Sequence, residues 1–215
     1  MRVKPPGKAL QQDRQEIFFC KGNAMKLYLD TTRAPNPRKV RIYLAEKNLT
    51  LSIKELNLRA GEQRTPEFLK MNPFAGVPIL ELDDGTIIPE SLAIMEYLEE
   101  LYPNPPLIGA DPVTRALVLA WERRCEIGVY LPASRMVHSK GEVAEHAKQT
   151  LMARLALIND GLQGRDWVAG QFSIADIMLF IGLDTASHGP FILDPAWTNL
   201  SRWYASMKAR PSVSV

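Results

Sequence analysis

The sequence is poor in every side chain that would let it carry out thiol or metal chemistry unaided. Only two cysteines occur in 215 residues, Cys20 and Cys125. They form no C-x-x-C pair, which excludes a dithiol redox motif and a disulfide framework, and a reducing, cytoplasmic compartment is the expectation. The histidines His138, His146 and His188 share no metal-ligand spacing, so no metal is expected. No apolar run approaches the roughly 20 residues that cross a bilayer, and a formal net charge of +2 is too small to argue for nucleic acid or a membrane surface as partner. P-loop, dinucleotide glycine pattern, nucleophile elbow and internal repeat are all missing. What remains is an ordinary globular composition, 46% hydrophobic and 23% charged, in a chain long enough for one large or two small domains. Any thiol chemistry has to be brought in by a ligand.

What is present centres on Asn72-Pro73-Phe74-Ala75-Gly76-Val77-Pro78-Ile79-Leu80 and, a little later, Pro89-Glu90-Ser91. Pro78 opens an apolar strand, Ile79 to Leu82, and a proline there cannot donate to a sheet ladder. A cis Val77–Pro78 bond would turn the backbone outward and leave the Val77 N–H and C=O free to pair with an extended peptide, as in strand addition. The competing reading is a trans turn, since only about 5–6% of X-Pro bonds are cis. Asp83-Asp84-Gly85 reads as a hairpin turn to a second short strand, Thr86-Ile87-Ile88. A helix from Leu92 to Leu101 follows, with Leu92, Ile94, Met95, Leu98 and Leu101 at helical spacing. A free amino-acid terminus carries an ammonium beside a carboxylate; Glu90 suits the first, and Ser91, at a helix start, suits the second. A plain helix cap is the alternative for an isolated Glu-Ser pair.

This combination resembles the glutathione-binding half of the glutathione S-transferase family, whose N-terminal domain is thioredoxin-like. The resemblance implies that Val77, before a cis Pro78, pairs with the cysteinyl backbone of glutathione and that Glu90 and Ser91 hold its γ-glutamyl end. It implies glutathione as co-substrate, a small, apolar electrophile, a homodimer and a role in detoxification.

The other elements fit the same plan. Residues 1–24 do not resemble a secretory signal and are expected to be a disordered extension or the product of an upstream start site. Lys26–Asp30 reads as a strand, Arg38–Lys47 as a helix stopped by Asn48, and Leu51–Leu56 as a half-buried strand, which together make a βαβ unit. Thr65 fits an N-cap with Pro66 at the first helical position. The order is βαβαββα over 25–103. Beyond the proline-rich stretch Tyr102–Gly109, residues 104–215 read as an all-helical domain. Asp111-Pro112 caps a helix running toward Leu131 and broken near Pro132, and another spans Glu142 to Leu162. Ser173-Ile174-Ala175-Asp176 is a capping box before a buried helix, and the last helix is expected from Asp194 to Lys208. The capping box and the C-terminal Arg210-Pro211-Ser212 also resemble the family, so the likeness covers Met25 to Ser212.

A thiol of pKa about 8.5 is mostly protonated at neutral pH, and lowering that value by about two units takes roughly 2.7 kcal/mol of preference for the anion. The positive end of the first helix with one or two donors suffices, and Thr31, Thr32 and Asn36 precede or open that helix. Tyr28 lies within a strand and is expected in the core. Bacterial branches of the family carry Thr-Pro-Asn here, whereas this chain has Ala34-Pro35-Asn36. Asn36 therefore carries over and the threonine does not; Thr31 or Thr32 would have to replace it, and Asn36 alternatively caps the helix. Gly76 stands where many members place Lys or Gln for the glycine carboxylate, leaving Arg33 or Lys39 for that task. The electrophile is expected near Trp121, Arg124, Tyr130 and His188. Three readings follow: a glutathione transferase that activates the thiol as thiolate, a glutathione-dependent disulfide reductase or peroxidase, and a non-catalytic glutathione-binding module.

Overall fold

A computed structural model describes residues 18–19, 25–30 and 34–214. Thr31, Thr32, Arg33 and Cys20 lie outside the described residues, as does most of the N-terminal extension. Within that extension Phe18–Phe19 forms a two-residue strand, β1, parallel to β3 (Leu49–Thr50).

The first half is a four-stranded mixed sheet. Its centre is β2 (Lys26–Asp30), with β4 (Ser52–Leu56) parallel on one side and β5 (Ile79–Glu81) antiparallel on the other; β6 (Ile87–Pro89) then pairs antiparallel with β5. The order β4-β2-β5-β6, with helices α1 (Pro35–Glu46), α2 (Pro66–Met71) and α3 (Ser91–Leu101), is the thioredoxin-like plan. Leu27 and Leu29 on β2 are fully buried. Tyr28 is buried too: its hydroxyl donates to Glu81 Oε2 at 2.6 Å, and burial, reinforced by that carboxylate, pushes the phenol up to about 12. It is a core residue, as expected. The second strand differs from the expected half-burial. As an edge strand β4 exposes Ser52 to Glu55 and buries only Leu56, so Ile53, 44% exposed, has no core to face.

Local sequence accounts for the turns. Thr65 accepts from the Phe68 N–H to start α2. Gly85, at φ 83°, supplies the left-handed residue of the β5–β6 hairpin, and Asp84 Oδ1 accepts from the Thr86 N–H. Helix α1 begins at Pro35, three residues before the expected start, because Pro35 and Pro37 both occupy first-turn positions whose N–H groups have no intrahelical partner anyway.

The second half is all helical: α4 (Pro112–Cys125), α5 (Leu131–His138), α6 (Gly141–Gly161), α7 (Ile174–Ala186) and α8 (Thr198–Lys208). The break expected near Pro132 is instead a π-helical turn, Glu126–Tyr130, that joins α4 to α5. A widened turn absorbs a proline that has no N–H and would clash with the preceding turn. Gly182 lets α7 cross that turn closely; a Cβ there would stand 2.8 Å from Val129 Cγ1. The Ser173 box starts α7, with Asp176 accepting from the Ser173 N–H at 3.1 Å. The last helix starts at Thr198, later than expected, because Asp194 turns the chain with its own side chain on the Ala196 N–H.

Helix α1 is held at both ends by the helical half. Arg38 Nη1 pairs with Asp184 of α7 at 2.5 Å and its Nη2 donates to the Val213 carbonyl. At the other end Arg210 makes two bonds to the Glu46 carboxylate, at 2.7 and 2.6 Å, and Ser212 Oγ adds a third. The stretch between the halves is pinned by Lys47. Its ammonium is fully satisfied by the Tyr102 and Pro105 carbonyls and by Glu99 Oε2 at 2.5 Å, and Glu99 also accepts from Tyr43 OH and the Ile108 N–H. Replacing one partner of such a buried pair strands the other. Lys47→Met is expected to lower the unfolding free energy by about 3 kcal/mol, measured by urea titration, while a surface change such as Lys148→Met leaves it unchanged.

Candidate active site

Three elements converge on the start of α1. The first is the bend before β5. Val77–Pro78 is cis, and the sheet pairing stops at Ile79, opposite Pro89. Among the described residues nothing takes up the N–H or C=O of Val77, although Asn72 braces the bend by donating to the Gly76 carbonyl and accepting from the Phe74 N–H. A backbone edge of this kind is what an added extended peptide pairs with.

The second is Glu90-Ser91. Ile79 pairs with Pro89 as the last pair of the β5–β6 ladder, so Val77-Pro78 and Glu90-Ser91 leave the sheet at the same end. Glu90 holds φ 69°, ψ 126°, a conformation that a non-glycine residue adopts at a cost of order 1–3 kcal/mol and that is found at functional sites. It stands at the N-cap of α3 yet makes no side-chain cap bond, so a plain helix cap does not explain it. Its carboxylate is exposed, while Ser91, at the first helical position, is buried. A carboxylate beside a hydroxyl and the free N–H groups of a helix start matches an ammonium and a carboxylate presented together.

The third is the start of α1. Ala34 is the N-cap and its N–H donates to Asp30 Oδ2 at 3.1 Å; no side chain caps the helix and its first turn has no acidic residue. Asn36 is the second helical residue, half-buried, and so is not the cap that sequence reasoning offered as its alternative role. The Asp30 carboxylate is thus the one described side chain that meets the positive end of α1, and it does so at the N-cap N–H rather than in the first turn. Thr31, Thr32 and Arg33 precede it, outside the described residues.

The residues expected around an electrophile are split. Trp121 and Arg124 line a groove of about 540 Å³ between α4 and α6, with Ile127 and Leu157. His188 lines a separate cavity of about 190 Å³ beside the start of α1, where Pro35, Val137 and Ile181 form the apolar wall and Arg38, His138 and Asp184 the polar one. Sequence reasoning missed Arg38 and His138 here. Both sit at the meeting of the two halves, which no periodicity within one helix announces.

Lys39, offered by the sequence as an alternative partner for the glycine carboxylate, is buried in the seam between the halves. It is 2% exposed, with its ammonium 3.5 Å from Met178 Sδ on α7. Burial lowers its pKa; the carboxylates of Glu122, Glu126 and Glu90 oppose that. Glu122, on α4, is 1% exposed, and burial raises its carboxyl. The thiol of Cys125 is fully buried and pushed well up by burial, so it is inert. Among the described residues no group of three His, Cys, Asp or Glu is placed to hold a metal, and no helix is long and apolar enough to cross a membrane.

Comparison with known proteins bears on both halves. Residues 34–101 match the family model for the glutathione S-transferase N-terminal domain and residues 120–211 the model for the C-terminal domain. The chain is 35% identical to glutathione S-transferase 2 of Saccharomyces cerevisiae, over 92% of this chain and 93% of that one. It is 33% identical to a maleylacetoacetate isomerase of Pseudomonas aeruginosa, over 87% and 93%. Among solved structures, a glutathione S-transferase domain-containing protein of Marinobacter aquaeolei superposes with a TM-score of 0.81 at 33% identity, covering 87% of this chain and 99% of its own.

Proposed function

The chain belongs to the glutathione S-transferase family, with the glutathione-dependent transferase activity of that family, and on that premise we propose how this site binds and activates glutathione. The cysteinyl backbone adds to the Val77 edge, the γ-glutamyl ammonium meets Glu90, and its carboxylate meets the Ser91 hydroxyl and the first N–H groups of α3. The observation that carries this reading is the Val77 edge, its N–H and C=O untaken among the described residues, leaving the β5–β6 pair at the same end as Glu90 and Ser91. So placed, the ligand directs its sulfur toward the start of α1, where the helix end and the Asn36 amide favour thiolate over thiol. Thr31 and Thr32 are the further candidate donors, and Arg33 the candidate partner of the glycine carboxylate. The thiolate attacks a small electrophile whose apolar part lies against Pro35, Val137 and Ile181. The working form is a cytoplasmic homodimer acting in detoxification, with no metal.

Asn36→Ala is expected to lower kcat about tenfold with glutathione affinity nearly unchanged, since a hydrogen bond to the charged form contributes about 1.5–3 kcal/mol to that form alone. Steady-state conjugation of an aryl halide, run beside calorimetric titration of glutathione, checks it. Reduction of a mixed disulfide in parallel distinguishes conjugation from thiol–disulfide exchange. No binding of glutathione at millimolar concentration would remove the proposal.

A further inference from the structure

Two buried ionisable groups in the seam between the halves have no partner of opposite charge in contact. Lys39 lies one helical turn beyond Asn36 on α1, and no described carboxylate is within ion-pair reach of its ammonium. Glu122 Oε2 has no hydrogen-bond partner. Buried polar atoms are nearly always satisfied, so an exception at a site asks for a reason. The remaining charged neighbours are acidic. Glu126, in the π-helical turn, is already paired with Arg123 at 2.6 Å, and Glu90 faces the candidate ligand.

We propose that Lys39 is the counter-charge of the thiolate site: buried against α7 one turn along α1 from Asn36, its ammonium balances the unpaired Glu122 carboxylate so that a second anion, the sulfur of bound glutathione, forms there. Lys39 touches neither sulfur nor substrate; it is a positioning residue that acts through the field. The inference rests on the binding reading above and adds to it the residue that sets the ligand's ionisation. With Glu126 paired to Arg123 and Glu90 to the ligand's ammonium, loss of Lys39 would leave the buried Glu122 carboxylate unbalanced, which favours the protonated thiol. At an effective dielectric of about 20, one unit charge supplies the roughly 1.4 kcal/mol that makes one pH unit, or tenfold in the thiolate-to-thiol ratio, out to about 12 Å.

The test is the titration of enzyme-bound glutathione, followed by the ultraviolet absorbance of the thiolate, in the full chain and in K39M, K39R and E122Q, each first shown by circular dichroism to fold. K39M is expected to raise the thiol pKa by about one unit, K39R to restore it, and E122Q not to raise it. A merely structural defect at this seam would move K39M and E122Q in the same direction. The inference is overturned if K39M leaves the titration at the wild-type value, or if both K39M and E122Q raise it. Calorimetry of the wild type separates the two levels. If the wild type binds no glutathione, the binding reading itself fails; if it binds and shows a depressed thiol pKa that K39M leaves in place, only the role of Lys39 does.

Discussion

Asp176→Ala is expected to lower the unfolding free energy by about 4 kcal/mol at neutral pH, a fall in Tm of roughly 8–16 °C for a chain of this size. The Asp176 carboxylate is fully buried and accepts from the Trp203 indole at 2.8 Å, from the Val168 N–H at 3.1 Å and from both the N–H and hydroxyl of Ser173. Alanine leaves those donors unmet in the core, at about 1–3 kcal/mol each, less what is recovered by no longer burying a charge. The same residue carries a pH signature. Burial raises its pKa from 3.8 to about 6, outweighing the donors that pull it down. A raised carboxyl favours the folded state fully below the unfolded value, near pH 4, and that contribution is lost as pH rises through about 6. The stability of the wild type relative to Asp176→Asn should therefore grow by about 2.4 kcal/mol between pH 7 and pH 4. Glu46 works in the opposite sense: although burial raises its carboxyl, the bonds from Arg210 and Ser212 leave it lowered, so its contribution is present above its unfolded value and lost in more acidic solution. Urea unfolding at the two pH values, in wild type and Asp176→Asn, isolates the Asp176 term; a difference that does not change with pH would refute it.

Glu90→Gly should cost about a hundredfold in glutathione affinity while leaving the fold as stable as before or slightly more so. The carboxylate is the proposed partner of the ligand ammonium, and a hydrogen bond between charged groups contributes about 1.5–3 kcal/mol. Glycine meanwhile adopts φ 69° without the steric cost that Glu90 bears. Glu90→Ala loses the ligand contact and keeps the strain. Calorimetric Kd together with thermal melts distinguishes the two variants. Equal affinities for wild type and Glu90→Gly would show that the carboxylate does not touch the ligand.

These variants draw on features of unequal visibility in the sequence. The βαβαββα order was legible because each element announces itself locally: alternation in the strands, Asp83-Asp84-Gly85 at the hairpin, Thr65 before Pro66. The Asp176 box was legible for the same reason. The seam between the halves was not. Arg38 and Lys39 share a helix with Val40, Ile42 and Tyr43, and nothing in that spacing reveals that α7 packs on the charged pair as well. Nor does the sequence around Thr198 show how α8 begins. Its first free N–H groups, those of Asn199 and Leu200, donate to the side chain of Asn159 on α6, about forty residues earlier. The π-helical turn was sensed only as a break at Pro132, because a proline signals that the ladder must change without saying how.

The grip of the C-terminal segment on α1 has a practical meaning. Arg210, Ser212 and the Val213 carbonyl touch opposite ends of the one helix whose first turn faces the proposed sulfur. An affinity tag fused there, or a protease that trims the tail, would loosen the helix from behind, and a preparation handled in that way would report on the tail while seeming to report on the catalyst.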